Sequence, residues 1–197
     1  MSDTEQTHPA CPATPDARVR RTYRALHEAL GSLIQQRPYE RIVVKEILAR
    51  AQVARSTFYA HFHDKDELLI HSMDEVLCAA DKAARGHPRR DERILAFSVA
   101  LYGHIAAHRQ RCRSGHVKDQ KALHRRIEDL LADRIAAQLR REVVVGWQPP
   151  APLEVLAPHI AASFMRALDG WLTQQPALPA SEADRVFRAL VVPLLTH

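Results

Sequence analysis

The chain has 197 residues, of which 46% are hydrophobic and 26% are charged, and its formal net charge at pH 7 is +5. This apolar fraction is sufficient for a buried core, which excludes a largely disordered protein. Only 6 residues are Gly and only 6% are aromatic, whereas helix-forming residues dominate, so we predict an all-α fold. No segment approaches the roughly 20 apolar residues of a membrane span, and we expect no membrane partner.

The N-terminal residues 1–16 are polar and lack the apolar segment of a secretory signal peptide. We predict that they form a disordered tail. The cysteines are Cys11, Cys78 and Cys112, an odd number at wide spacing. This pattern is typical of reduced thiols and therefore indicates a cytoplasmic protein.

Hydrophobic residues recur at helical spacing along the rest of the chain, which predicts about nine helices. Thr14 as N-cap and Pro15 at the first helical position mark the predicted start of the first helix. Asp64 and Glu67 form a predicted capping box before a long helix. The longer helices are expected at about residues 14–36, 64–85, 91–108, 119–144, 153–174 and 181–195, with Pro158 kinking the fifth or delaying its start.

The positive charge is concentrated near the N-terminus. Residues 17–65 contain ten Lys and Arg but only four Asp and Glu. An ordinary solvated basic face has this composition, and so does a surface that attracts nucleic-acid phosphates. Charge alone leaves both interpretations open.

Residues 45–65, KEILARAQVARSTFYAHFHDK, have the pattern of a helix-turn-helix. Phe58 and Phe62, four residues apart, are the predicted inward anchors of its second helix. The outward side then carries the hydrogen-bonding residues Arg55, Ser56, Thr57, Tyr59 and His61. Such a face suits a helix that reads the DNA major groove, although a corner between two helices of a purely structural bundle has similar spacing.

The residue identities favour a DNA-reading helix over a structural corner, because the segment strongly resembles the helix-turn-helix of TetR/AcrR-type transcriptional regulators. The most specific part is Thr-Phe-Tyr-x-His-Phe at residues 57–62, followed by Lys65. The resemblance covers about residues 18–70 and rests on Lys45, Ile47, Ala51, Val53, Thr57, Phe58, Tyr59, His61, Phe62, Lys65 and Leu68. It implies a repressor that a small-molecule effector releases from a double-stranded, palindromic operator. The implied DNA contacts are Lys45, Arg55, Ser56, Thr57, Tyr59, His61 and Lys65.

Two residues depart from the family pattern. Val43 stands where a capping Thr is usual, which removes a side-chain cap worth about 1 kcal/mol. Gln52 replaces the usual turn Gly, so a residue with a Cβ is expected in a left-handed or otherwise unusual conformation. An alternative function is therefore a helical small-molecule or metal-binding protein whose DNA-binding module has degraded.

The resemblance further implies three parts: the tail, a DNA-binding domain at 17–65 linked by helix 64–85, and an effector-binding and dimerisation domain at 88–197. A homodimer would match the symmetry of a palindromic operator. The predicted interface residues are Phe164, Leu168, Trp171, Phe187, Leu190, Val191 and Leu194, although a single intramolecular core would show the same pattern. The predicted pocket residues are Phe97, Leu101, Tyr102, Phe164 and Met165, which plain core packing would also explain.

A possible metal ladder lies at His104, His108, Cys112 and His116, each four residues apart. Ser114 and Gly115 interrupt it, and neither this ladder nor a redox switch at Cys112 is the favoured interpretation. We therefore predict no metal and no cofactor. The chain also lacks a Gly-rich phosphate loop, a nucleophile elbow and a paired-carboxylate signature, so we do not expect an enzyme.

Overall fold

The computed structural model describes residues 16–109, 121–174 and 178–196, with the backbone alone at 108 and 109. Within these ranges the chain forms nine α-helices and no β-strand, which confirms the all-α prediction. The helices are α1 (Ala17–Ile34), α2 (Val44–Ala51), α3 (Arg55–Tyr59), α4 (Lys65–Ala84), α5 (Arg90–Ile94), α6 (Ala96–Arg109), α7 (Lys121–Val144), α8 (Leu153–Thr173) and α9 (Ala180–Val191). Short 3-10 turns lie at Tyr39–Arg41 and Val192–Leu194.

The first helix begins at Ala17, three residues after the predicted cap. Thr14 and Pro15 lie outside the described residues, as does nearly all of the predicted tail. Asp16 is the N-cap instead, because its carboxylate accepts a hydrogen bond from the Arg18 N–H at 3.4 Å. Asp is a favoured residue at this position because its side chain satisfies an otherwise unpaired amide of the first turn.

A first hydrophobic core joins α1, α2, α3 and the start of α4. Phe58 contributes the largest side chain and is fully buried. Because the five-residue α3 is too short to be stable alone, this burial fixes its position against α1 and α2. The other buried members are Leu26, Ala29, Leu30, Leu33, Ile42, Ile47, Phe62 and Leu68.

A second hydrophobic core joins α4 to α9 and is centred on aromatic side chains. Phe164 of α8 lies 5.2 Å, between ring centroids, from each of Phe97, Tyr102 and Phe187. These edge-to-face contacts add to the burial of apolar area. Since Leu68 belongs to the first core and Leu77 to the second, α4 is a member of both.

The predicted helix at 91–108 is divided at Leu95 into α5 and α6. The Leu95 carbonyl accepts hydrogen bonds from the Ser98 hydroxyl and from the Arg188 guanidinium, both at 2.8 Å. A carbonyl held in this way is satisfied without the usual helical partner. The break therefore depends on Arg188, which lies 93 residues further along the chain.

Arg188 is the centre of a largely buried polar network that fastens α9 to α5 and α6. Its guanidinium contacts Asp184 at 2.8 Å and Glu92 at 2.9 Å. The Ser98 hydroxyl also lies within hydrogen-bond distance of the same Asp184 carboxylate, so its one proton is shared between this carboxylate and the Leu95 carbonyl. Each buried charge in the network thus has a partner, as burial of charge requires.

Pro158 lies inside α8, but it does not delay the start of that helix, which begins at Leu153 after Pro152. At the end of α7, Gly146 has φ +99°, a conformation that favours Gly. Its N–H and that of Trp147 donate to the carbonyls of Val143 and Glu142. These hydrogen bonds satisfy the last carbonyls of α7.

Cys78 of α4 is buried and disulfide-bonded, so the prediction of reduced thiols is wrong for this residue. Cys11 and Cys112 lie outside the described residues. Among the helices that the structure describes, none combines the length and the apolar character needed to cross a bilayer.

We predict that Asp184→Ala lowers the free energy of unfolding by about 3 kcal/mol, because it removes the more buried of the two carboxylates that pair with the Arg188 charge. Chemical denaturation followed by circular dichroism measures this change. Glu182→Ala is the matched control, since it removes an ion pair with Arg185 that is exposed on the same helix. Equal losses in the two variants would contradict the prediction.

Candidate nucleic-acid interface

The first helix of the motif, α2, begins without a side-chain cap. Val43 at the N-cap offers only its backbone N–H, which donates to the Glu46 carboxylate at 3.1 Å. This hydrogen bond and the nearby Arg37 guanidinium, whose Nη1 lies 2.8 Å from Glu46, lower the pKa of that carboxyl. As expected, Val43 provides no side-chain cap, whereas Glu46 supplies the other half of a capping box.

The turn between α2 and α3 is set by Gln52, which has φ 55° and ψ 38°. This left-handed conformation, expected from the missing Gly, is the one position of positive φ with a side chain among the residues that the structure describes. The Gln52 and Val53 N–H groups both donate to the Leu48 carbonyl. The turn thus keeps the usual helix-end hydrogen bonds at the cost of backbone strain.

Helix α3 presents a polar surface to solvent. Arg55, Ser56 and Tyr59 are exposed, and Thr57 is half-buried beside them. The Arg55 guanidinium lies 5.3 Å from the centroid of the Tyr59 ring, a cation-π distance that orients both side chains. Lys45 of α2 and Arg55 line the same open groove between the two helices. A basic, hydrogen-bonding surface on two adjoining helices can accept phosphates and base edges.

His61, just after α3, is held by α1. Its Nδ1 lies 3.4 Å from the Tyr23 hydroxyl, and the two rings meet edge-to-face with their centroids 5.3 Å apart. Tyr23 also packs on Phe62 at 5.2 Å. The residue that orients His61 is thus a Tyr 38 positions earlier, which sequence reasoning assigned no role at the site.

Lys65 has a different role from the predicted DNA contact. Its ammonium donates to the backbone carbonyls of Tyr39 and Ile42, both at 2.8 Å, and approaches that of Glu40 at 3.4 Å. It also lies 4.4 Å from the centroid of the Tyr39 ring. An ammonium has three N–H donors, and these contacts use them all, so none is left for a phosphate. Lys65 instead fixes the segment that leads from α1 into α2.

The start of α4 is capped nearly as predicted. The Asp64 carboxylate accepts a hydrogen bond from the Glu67 N–H at 2.7 Å, whereas the Glu67 carboxylate accepts one from the His63 N–H rather than from Asp64. The Tyr39 hydroxyl donates to Asp66 at 2.6 Å. Burial and the Asp66 carboxylate raise the Tyr39 pKa, so the phenol keeps this proton. No local sequence signal indicated this contact, because its partners are 27 residues apart.

The five residues predicted to line a pocket are all buried in the second core: Phe97, Leu101, Tyr102, Phe164 and Met165. Tyr102 differs from the others because its hydroxyl, also buried, has no hydrogen-bond partner among the described residues. Burial first, and the Asp184 charge second, raise the pKa of Tyr102 to about 12. Its ring meets Phe164 and Trp171 edge-to-face, with centroids 5.2 Å away in both cases.

The residues predicted for a dimer interface lie mostly inside the protomer. Phe164, Leu168, Trp171, Phe187 and Val191 are buried in the second core, and Leu194 packs against it. These six cannot offer an exposed contact surface, because the wide apolar side of α8 and α9 covers their own domain. Leu190, which is 71% exposed, is the exception.

The predicted metal ladder cannot be followed as a whole. His104 lies half-buried on α6, His108 belongs to α6 by its backbone alone, and Cys112 and His116 lie outside the described residues.

Comparison with known proteins places the motif in a family. Residues 28–71 match the sequence model described as bacterial regulatory proteins, tetR family. The matched segment runs from the middle of α1 into α4 and includes the whole polar surface of α3. In this segment the chain is similar to the regulators of that family.

One curated relative is the A-factor receptor protein of Streptomyces griseus, 33% identical over 72 residues. The match covers 36% of this chain and 26% of that protein. A putative TetR-family regulator from Syntrophomonas wolfei has a similar solved structure, with TM-score 0.65 and 16% identity over 91% of this chain and 97% of that one. RolR in complex with resorcinol has TM-score 0.58 and 18% identity, covering 91% and 89%. These two structures share the fold over 91% of the chain.

We predict that Lys65→Ala lowers the free energy of unfolding by about 2 kcal/mol, because buried carbonyls lose a charged donor. Thermal unfolding monitored by circular dichroism tests this. Lys45→Ala is the control, since Lys45 is exposed on α2, and it should leave the melting temperature unchanged. A melting curve of Lys65→Ala that overlies the wild-type curve would refute the positioning role.

We predict that Gln52→Gly raises the free energy of unfolding by about 1 kcal/mol, because Gly adopts the left-handed conformation without a Cβ clash. The same change at exposed Ala49 in α2, Ala49→Gly, should lower it by about 1 kcal/mol. Urea denaturation of the two variants measures both signs. A loss of stability in Gln52→Gly would show that the turn is not strained.

Proposed function

We propose that this protein is a tetR-family DNA-binding transcriptional repressor that a small-molecule effector releases from a double-stranded operator. The observation that carries the proposal is the exposed surface of α3, whose Arg55, Ser56 and Tyr59 stand beside Lys45 on α2. The surface belongs to a short helix with a fixed position, since Phe58 is fully buried beneath it. A rigidly placed polar helix is the element that docks in the major groove.

The proposed contacts fall into two groups. Arg55, Ser56 and Thr57 stand at the start of α3, and in a helix-turn-helix it is the N-terminal part of the recognition helix that meets the base edges. Lys45, Tyr59 and His61 are proposed to contact phosphates. Their side chains carry a positive charge or an N–H or O–H donor, which suffices for phosphate but carries no sequence information.

A homodimer is proposed through a smaller patch than the sequence suggested. Val186 and Leu190 lie one turn apart on α9 and are 46% and 71% exposed. Val155 of α8 is 60% exposed. Exposed apolar side chains on the last two helices support association with a second copy, whose own recognition helix would read the other half of a palindrome about 34–36 Å away.

The effector is proposed to bind in the second core beside Tyr102. The buried hydroxyl lacks a partner among the described residues, and a buried polar group without a partner is costly. A ligand with a polar atom and an apolar or aromatic body would satisfy the hydroxyl and contact the aromatic rings around it. RolR, which has the same fold, is described in complex with resorcinol, an effector-sized aromatic diol.

Helix α4 is the proposed route from effector to DNA. It belongs to both cores and is tied to α7 by Arg134, whose guanidinium contacts both Asp74 oxygens at 2.8 and 2.7 Å. A shift of α4 would move the DNA-binding domain, proposed at 17–65, relative to the domain at 88–197. As an operator-binding protein of a bacterial family, the chain is proposed to act in the cytoplasm.

A mobility-shift assay on the DNA upstream of the chain's own gene tests the proposal. Arg55→Ala should reduce discrimination between that duplex and a scrambled one by about 1–3 kcal/mol. Lys45→Ala should weaken binding to both duplexes alike and reduce the slope against salt concentration by about one.

Arg140→Ala is the control for these variants, because it removes an exposed positive charge from α7, away from the motif. It should bind the upstream duplex like the wild type. Equal binding by all the variants, or no binding by the wild type to any duplex, would overturn the proposed function.

A further inference from the structure

Three side chains that can bind a metal ion meet where α1 crosses α4. His27 comes from α1, whereas His71 and Glu75 lie one turn apart on α4. One ligand atom from each residue lies within 4.8 Å of the other two, which makes this the one such group in the part of the chain that the structure describes. Side-chain rotations that bring these atoms to about 3.4 Å from one another would place all three at ligand distance from one zinc ion.

The two histidines already have the spacing of ligands to one ion. The Nε2 atom of His27 lies 3.3 Å from Nδ1 of His71. Two nitrogens bound tetrahedrally to zinc at 2.0–2.1 Å are about 3.4 Å apart. The other ring nitrogen of His27, Nδ1, lies 3.1 Å from the Glu75 carboxylate. A carboxylate in this position either joins the ligands or orients the imidazole by accepting its N–H.

The surroundings hold the imidazoles in place. The Tyr23 ring packs on His71 with centroids 4.7 Å apart, and Phe62 packs on it at 5.5 Å. The His27 side chain is also largely buried, with 12% of it accessible.

We propose that His27, His71 and Glu75 form a binding site for a divalent transition-metal ion of the Zn²⁺ class, which fastens α1 to α4. Two imidazoles and one carboxylate suit such an ion better than Mg²⁺ or Ca²⁺, which prefer oxygen ligands. A fourth position remains for water or a further side chain.

The site is joined to the DNA-binding surface by direct contacts. Tyr23 touches both His71 and His61, and Phe62 touches His71. An ion that fixes His71 thereby also restrains the residues that orient the end of α3. Metal binding itself does not depend on the proposed function and is testable without DNA.

The test uses the full chain, freed of metal with a chelator and titrated with Zn²⁺ in competition with a chromophoric chelator. We expect the wild type to bind one tight Zn²⁺ per chain. His71→Gln and Glu75→Gln should each weaken that site at least about tenfold, the lower bound for losing even an orienting partner. His159→Gln, which changes an exposed histidine of α8, should bind as the wild type does.

Melting temperatures separate a structural site from adventitious binding. Zn²⁺ should raise the melting temperature of the wild type and of His159→Gln, because an ion that binds only the folded state stabilises it. It should raise that of Glu75→Gln less. Glu75 is half exposed, with 51% of its side chain accessible, so this variant folds, and its metal-free melting curve verifies that it does.

Cobalt provides a readout of coordination. Co²⁺ in place of Zn²⁺ should give the visible absorption of a tetrahedral complex in the wild type, and His71→Gln should lose it. The proposal is overturned if the wild type binds no Zn²⁺, or if His71→Gln and Glu75→Gln bind it with wild-type affinity. In either case the three residues form only a hydrogen-bonded His-His-Glu cluster. The DNA-binding assay is unaffected by that outcome, so the two proposals fail separately.

Discussion

The whole polar surface of the motif depends on the burial of one side chain. A five-residue helix has too few internal hydrogen bonds to offset the entropy of forming it in water. Phe58 supplies the missing stabilisation by contact with α1 and α2, and Gln52 sets the angle at which α3 leaves α2. Every functional property proposed for Arg55 and its neighbours therefore follows from tertiary packing rather than from the local stability of α3.

Helix α4 connects the DNA-binding motif to the rest of the chain. Its first turn is capped by Asp64 and tied through Lys65 to the segment before α2, and its second half packs into the large core. A single rigid helix that belongs to two cores cannot shift in one without moving in the other. The Arg134–Asp74 ion pair is bidentate and largely buried. It fixes α7 to α4, so the two helices should move together.

Sequence periodicity predicted the helices because each buries one face, and the residue identities at 57–62 predicted the family. The break at Leu95 and the role of Lys65 could not be predicted in this way. Leu95 depends on Arg188, and Lys65 acts on carbonyls at least 23 residues earlier in the chain. Interface residues could not be distinguished from core residues for a related reason: an apolar stripe does not reveal whether its partner is the same chain or a second copy.

The proposed metal site likewise could not be predicted from the sequence. A search for ligands along one helix finds the ladder from His104 to His116, most of which lies outside the described residues. His71 and Glu75 have equally regular spacing, but their partner His27 is 44 residues from His71. Two helices that cross bring such residues together without any local signature. An ion bound there would act on α4, the same helix that is proposed to carry the effector signal. Metal and effector would therefore shift the same equilibrium between positions of α4. Binding of either one would then change the protein's affinity for the other.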